Sequence, residues 1–379
     1  MTKRIYLDYQ ATTPLDPQVF AAMLPHWMES FGNPHSEGHP FGWEAREAVE
    51  VARSRVADFI GADDGEIVFV SGATESCNLA LRGAASGSRG ARREIITLAT
   101  EHAAVLDTAH SLHELGFDVT ILPVRPNGLL DLAVLESALS ERTLLVSAML
   151  VNNEIGVVQP LANISRLCRT VGAMLHSDAT QAAGRIDIDV DQLGVDLLSL
   201  SAHKVYGPNG VGALYVRERP DLRLEPVLTG GRQERGLRPG TVPTPLVAGF
   251  GEACAIAARQ LDGDTDRLSD MAGQLLAALQ TDLPNLRTFG DLERRAPGSL
   301  NIGVPGILGE RLVEAVSQEV AISTGAACAT GSPEPSRVLL ALGLEQDVAA
   351  TGVRISLGRF TTLRKLTPLA PSCGTHSRP

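Results

Sequence analysis

Between residues 67 and 216 short apolar runs alternate with amphipathic segments, and this alternation narrows the fold more than any other feature of the chain. Residues 67–70, 94–98, 119–124, 143–151, 173–176, 195–200 and 212–216 read as strands, bounded by turn residues. Residues 74–81, 103–115, 132–139 and 164–171 carry helical periodicity between them. Repeated strand–helix units predict an α/β fold with a mostly parallel central sheet flanked by helices. In such sheets ligands collect at the C-terminal ends of the strands. The flanks read differently. A short strand and turn at IYLDYQATTPLDP lead into a helix from Pro17 to about Met28, and a second helix is expected over 44–60. Between them His35 and His39 have the spacing of helical metal ligands, but Pro34, Gly38, Pro40 and Gly42 make a loop the expectation. After 216, helical segments are expected at 245–260 and 261–279. A smaller α+β unit follows, with strands at 300–304, 319–323 and 353–357 and helices at 309–316 and 335–343. The implied division is a large domain over 15–258 and a small one built from 1–14 with 259–379.

Lys204 is the residue around which chemistry is sought. It is one of three lysines, with Lys3 and Lys365, among 33 basic residues, so positive charge here is nearly always guanidinium. An amine offers what a guanidinium cannot: burial depresses its pKa and frees a lone pair for attack on a carbonyl. Lys204 stands between the apolar run 195–200 and the turn Gly207-Pro208-Asn209-Gly210, at a strand end that a ligand can reach. The plainer reading is a lysine snorkelling at a strand end. The stretch EIVFVSGATESCNLAL places a small-residue turn before a helix, the geometry that offers free N–H groups to a phosphate, or else a capped helix with Ser71 or Thr74 near the cap. It is neither a Walker loop nor G-x-G-x-x-G. Asn153, Asp178 with Gln181, and Ser201 with His203 and Lys204 occupy three expected strand ends.

The five cysteines (Cys77, Cys168, Cys254, Cys328, Cys373) form no C-x-x-C pair, which argues against a disulfide framework or a zinc site and for a reducing cytoplasm. Cys328 lies in STGAACATGSPEP, where small neighbours leave the thiol accessible. Arg354, between Val353 and Ile355, could clamp a carboxylate. The glycine- and arginine-rich GGRQERGLRPGT, ending at Thr241, is either a solvated loop or an interface. The net charge of −11 disfavours nucleic acid and anionic membranes as general partners, and neither a signal peptide nor a run of transmembrane length is evident.

A Schiff-base lysine, a phosphate-binding helix start and a strand-end aspartate are the parts that pyridoxal phosphate requires. The segments YLDYQATTPLDP, NPHSEGHPFG, EIVFVSGATESCNLAL, TEHAAVLDT, VNNEIGVVQP, HSDATQAAGRIDID, SLSAHKVYGPNGVGALYV, GGRQERGLRPGT, STGAACATGSPEPSRVLLALGL and VRISLGRFTT together resemble the cysteine desulfurases of the NifS/IscS type. These are class V aminotransferase-like, fold-type I pyridoxal-phosphate enzymes. The resemblance implies that Lys204 binds the cofactor and His102 stacks on its ring. Asp178 pairs with the pyridinium, Gln181 meets the 3-hydroxyl, and Ala73, Thr74, Ser201 and His203 lie at the cofactor, the last three holding its phosphate. Thr241 reaches across from the other subunit of a homodimer. Asn153 and Arg354 hold the substrate carboxylate, and Cys328 accepts sulfur from L-cysteine, releasing L-alanine; it could also serve as a transient iron–sulfur ligand. A sulfur-acceptor or iron–sulfur scaffold protein is the implied partner, for cluster assembly or tRNA thiolation. A selenocysteine or cysteine-sulfinate lyase, or an aminotransferase, shares Lys204 and Asp178 but needs no loop thiol. The tail LRKLTPLAPSCGTHSRP departs from the acidic helix usual in the family.

Overall fold

The computed structural model describes residues 4–88, 92–325 and 335–362. After β1 (Ile5–Tyr6) come α1 (Pro17–Met28) and α2 (Pro40–Ile60). Helix α2 begins four residues before the expected start. Pro40 sits at its first position with φ preset, and His39 caps it by accepting the Gly42 N–H at Nδ1, 3.2 Å away. Gly42 is a point of close approach: a Cβ there would lie 1.9 Å from the Ser36 carbonyl oxygen. His39 is thus a helix cap.

The alternating stretch builds β2 (Ile67–Val70), α3 (Ala73–Gly87), β3 (Glu94–Leu98), α4 (Ala103–Glu114), β4 (Asp118–Leu122), α5 (Leu132–Ala138), β5 (Thr143–Ser147), α6 (Leu161–Val171), β6 (Met174–Asp178), α7 (Val190–Leu193), β7 (Leu197–Ser201) and β8 (Gly212–Val216). Seven of its strands form one sheet in the order β2-β8-β7-β6-β5-β3-β4. The five from β7 to β4 run parallel, while β8 is antiparallel to both its neighbours. Every residue of β5, β6, β7 and β8 is buried, which is why these strands read as continuous apolar runs without alternation. The apolar run at 143–151 overshoots β5: the strand ends at Ser147, and residues 148–151 continue as buried chain toward the site, with Ala148 and Leu150 donating to the His176 and Asp178 carbonyls and Val151 bridging Val158.

Helix α8 (Thr244–Asp282) is one uninterrupted helix of 39 residues where two segments were expected. The sequence changes character along it because its burial partners change. Val247, Phe250, Ala253, Cys254, Ile256 and Ala257 enter the large core beneath the sheet, whereas Leu268, Met271, Ala272 and Leu275 enter a second core. Gly249 and Gly251 let α1 and α2 approach closely, since a Cβ on either would meet Met23 or Ala52 at 2.6 Å. The expected boundary at 258/259 falls inside this helix. After it come β9 (Arg287–Thr288), β10 (Ser299–Gly303), α9 (Gly309–Val316), β11 (Val320–Ala321), α10 (Arg337–Ala341), α11 (Gln346–Ala349) and β12 (Gly352–Ser356). Of these, α10 and α11 pack with Ile155, Val157 and Phe289 in a separate cluster, while β10, α9, β11 and β12 complete the second core. There β12, β10 and β9 form an antiparallel sheet, and β1 pairs in parallel with β11, which brings the first residues of the chain against its last third.

Candidate active site

Lys204 lies in a single 3-10 turn just past the end of β7. Its Nζ donates to the carbonyl oxygens of Gln10 (2.5 Å) and Ala11 (2.8 Å). Burial, and after it the charge of Arg354, push the Lys204 ammonium down to about 8, against the opposing pull of Asp178 and Asp8. The segment 10–13, far away in sequence, straps this turn. Thr13 Oγ1 donates to the His203 carbonyl (2.8 Å) and accepts the Tyr206 N–H (2.9 Å), while Thr12 Oγ1 meets His203 Nδ1 at 3.0 Å. Burial, then the charge of Lys204, hold His203 down to about 4, so its ring is neutral near pH 7. Tyr206 is held at φ 65, a conformation that a bulky residue keeps only when its surroundings impose it. Here the Arg359 N–H donates to its hydroxyl at 2.5 Å and the Arg359 guanidinium lies over its ring.

Asp178 ends β6, 6% exposed, with Oδ1 accepting the Thr180 N–H at 2.9 Å. Gln181 follows, its Nε2 donating to the same Gln10 carbonyl that Lys204 uses (2.9 Å). Arg354, 4% exposed on β12, pairs with Asp8 at 2.8 Å and donates from Nη1 to the Asn153 carbonyl at 2.9 Å. Its Nε and the Asn153 Oδ1 are buried without a partner. Left that way, such groups lose hydration with nothing in return, so a donor and an acceptor here suit a polar ligand. Residues from opposite ends of the chain thereby converge: Asp8, Gln10, Asn153, Asp178, Gln181, Lys204 and Arg354.

Helix α3 opens at Gly72, with no side chain capping its N-terminal amides. Of the two sequence readings of this turn, the side-chain cap is not the one formed. Ala73 and the exposed Thr74 are its first residues, and a Cβ placed on Gly72 would sit 3.7 Å from Ser201 Oγ, so the Ser201 hydroxyl borders the turn. Gly212 makes the cradle possible: a Cβ there would lie 2.4 Å from the Leu200 carbonyl oxygen and 2.8 Å from Gly72 Cα. Uncapped amides, a hydroxyl and a side-chain-free wall form a phosphate-shaped cradle. With Lys204 and Asp178 beside it, the donor set fits pyridoxal phosphate.

His102 caps α4, its Nδ1 accepting the Ala104 N–H at 3.1 Å, which leaves the proton of the neutral ring on Nε2. Thr241 is exposed and, among the described residues, bonds to no member of the cluster. Its loop is anchored nearby, through Arg238 to Glu75 of α3 (3.0 Å) and through Glu234, which accepts from Arg53 and the Phe69 N–H. Glu234 is buried, so the loop is docked on this chain rather than freely solvated. Cys328 lies outside the described residues. Sequence reasoning passed over Asp8, Gln10, Thr12, Thr13 and the wholly buried His176 and Glu101. The strap residues act through backbone carbonyls and hydroxyls some 190 positions from their partners, and no local pattern marks that. Glu101 does carry a signal, a carboxylate beside His102. Burial, reinforced by Asp178, pushes its carboxyl well above the usual range while Oε1 accepts the Met149 N–H at 2.7 Å.

Among the described residues, no helix is long and apolar enough to cross a membrane, and no group of three or more His, Cys, Asp or Glu could hold a metal ion. The family model for class-V aminotransferases matches residues 5–369. Cysteine desulfurase IscS of Rickettsia bellii (strain OSU 85-389) is 48% identical over 362 residues, covering 96% of this chain and 88% of its own. The protein of the same name from Rickettsia felis (strain ATCC VR-1525 / URRWXCal2) is 49% identical over 358 residues, covering 94% and 87%. Among solved structures, a NifS-like protein superimposes with a TM-score of 0.91 at 35% identity, covering 97% of both chains. SspA in complex with cysteine gives 0.82 at 36% identity, covering 94% of this chain and 99% of that one.

Proposed function

The chain belongs to the class-V aminotransferase family as a pyridoxal-phosphate-dependent cysteine desulfurase of the NifS/IscS type, and we propose the following roles for its residues. When bound, the cofactor supplies an electrophilic aldehyde and a ring that accepts the electron pair released at the substrate's Cα. Lys204 Nζ is its covalent attachment point and afterwards takes the Cα proton of L-cysteine. An ammonium brought down to about 8 is readily deprotonated near neutral pH, as that role requires. Asp178 would hold the proton on the pyridine nitrogen, Gln181 would bind the ring hydroxyl, and His102 would supply the aromatic group that stacks on the ring. Ala73, Thr74, Ser201 and His203 hold the phosphate end. Arg354 binds the substrate carboxylate through the Nε donor it leaves unpaired, and Asn153 donates to it from its side-chain amide nitrogen. The Cys328 thiolate attacks the substrate sulfur. An S–S bond forms on Cys328, the C–S bond breaks, and its electron pair and a proton remain on carbon as L-alanine.

The observation that carries this reading is the convergence of one amine, Lys204, with Asp178 and the carboxylate-ready Arg354. The decisive experiment is Cys328→Ser. It should still bind the cofactor and bind L-cysteine at the ring, yet release no alanine catalytically, because a hydroxyl is a poor nucleophile toward sulfur. In the wild type, mass spectrometry after alkylation should find one added sulfur on the Cys328 peptide. Release of alanine by Cys328→Ser at the wild-type rate would overturn the role.

A homodimer completes this proposal, with Thr241 contributed to the other subunit's phosphate. Phe20, Leu24, Trp27 and Met28 on α1, Phe31, and Phe41 and Trp43 at the start of α2 are all exposed, a density of apolar side chains expected of a surface that is covered. The large domain over 15–258 and the small one from 1–14 with 259–379 share α8 as their spine. Sulfur would pass, in a reducing cytoplasm, to an acceptor or iron–sulfur scaffold protein.

A further inference from the structure

A layer of polar side chains crosses the sheet beneath the site. Ser147 of β5 and His176 of β6 meet at 2.8 Å through Nδ1, and His176 Nε2 meets Ser199 of β7 at 2.9 Å. Ser199 Oγ meets Ser76 Oγ of α3 at 2.7 Å, and Ser76 also reaches the Ala213 carbonyl of β8 at 3.2 Å. All four side chains are completely buried. One step toward the N-terminal ends of the parallel strands the corresponding positions are apolar, with Leu145 paired to Met174, and Leu197 and its partner Val216 in the same core. One step toward the C-terminal end lie Asp178 and Ser201, which belong to the site. Each strand or helix in the layer continues into a part of the site: β5 toward Asn153, β6 to Asp178, β7 to Lys204, and α3 back to Thr74.

We propose that Ser147, His176, Ser199 and Ser76 form a positioning network that sets the spacing between Asp178 and the first turn of α3. The proposal rests on the reading of these two as the ring-nitrogen and phosphate anchors of one rigid cofactor. Apolar contact between α3 and the sheet is non-directional and tolerates a small slide or rotation of the helix. Directional bonds between fully buried groups do not, because any displacement strands a donor or an acceptor. A rigid ligand anchored at both ends needs that spacing held to within about 0.5 Å. Ser76 lies within the first turn of α3, two residues beyond Thr74, so it pins the end that matters. The network suits a neutral His176, which offers one donor and one acceptor to the two serines. Burial holds its ring at about 4, so it is uncharged at physiological pH.

The test compares apoenzymes carrying Ser76→Ala, Thr74→Ala and both. Three measurements are made: pyridoxal phosphate binding by fluorescence titration, visible circular dichroism of the bound ring, and melting without cofactor. Ser76→Ala should weaken binding about tenfold or more and reduce the dichroism, beyond the modest drop in apoenzyme melting that one lost buried hydrogen bond brings. In the Thr74→Ala background the further loss should shrink to below about threefold, since the network acts through that turn. Wild-type affinity and dichroism in Ser76→Ala would overturn the proposal, and so would full additivity with Thr74→Ala. Should Ser76→Ala not fold, His176→Gln and Ser199→Ala carry the same comparison. Failure of the underlying reading looks different: Thr74→Ala and Asp178→Asn would each bind the cofactor as tightly as the wild type, and the positioning role would fall with its anchors.

Discussion

The depressed basicity of Lys204 can be measured directly, because three lysines in the chain make each acylated peptide easy to tell apart. The ordinary side-chain value is 10.5 and the folded site brings it to about 8. At pH 7.5 the free-amine fraction then rises from about one in a thousand to about one quarter, a gain of roughly 200-fold in nucleophile. Trace acetylation of the apoenzyme over about pH 6–11, with the urea-unfolded chain as reference, should give Lys204 an inflection near 8 only when folded. The causes separate by sign. Arg354→Leu removes a neighbouring positive charge and frees Asp8, so both changes should move the inflection upward. Asp178→Asn removes a carboxylate that favours the ammonium and should move it downward. The same shift links to stability. A lysine depressed on folding binds fewer protons in the native state between about pH 8 and 10.5, so its penalty, full below 8, is relieved as pH rises through that window. An inflection near 10.5 in the folded wild type, or a shift in the same direction for both variants, would refute the account.

Gly212→Ala should weaken pyridoxal phosphate binding at least about tenfold in titration, because its Cβ would lie 2.8 Å from Gly72 Cα and displace the phosphate cradle. Glu234→Ala should destabilise the protein by about 3–5 kcal/mol in urea unfolding, since it leaves Arg53 and the Phe69 N–H without their buried partner. Dilution followed by sedimentation should show activity falling as a dimer dissociates, and Thr241→Val should lose cofactor affinity; a fully active monomer would contradict the shared site.

The α/β architecture was legible because it is written in local pattern. Buried parallel strands must be apolar throughout, helices between them must be amphipathic, and both periods survive in the sequence. Lys204 stood out because this chain uses arginine almost everywhere else, and Asp178 because an acid at the end of an apolar run is conspicuous. Local pattern misled where distant packing governs. Pro40 and Gly42 read as helix breakers, but one starts α2 and the other admits the Ser36 carbonyl. Helix α8 read as two because its two halves face different cores. What only the tertiary structure decided is how the site is held. The strap at residues 10–13 supplies carbonyls to Lys204, Asp8 pairs with Arg354 across 346 positions, and His176 lies between two serines. Backbone carbonyls have no residue identity, and a hydroxyl or a buried imidazole gains its meaning from the partner brought to it. Such roles arise from the folding of distant segments against one another, and no local period records them.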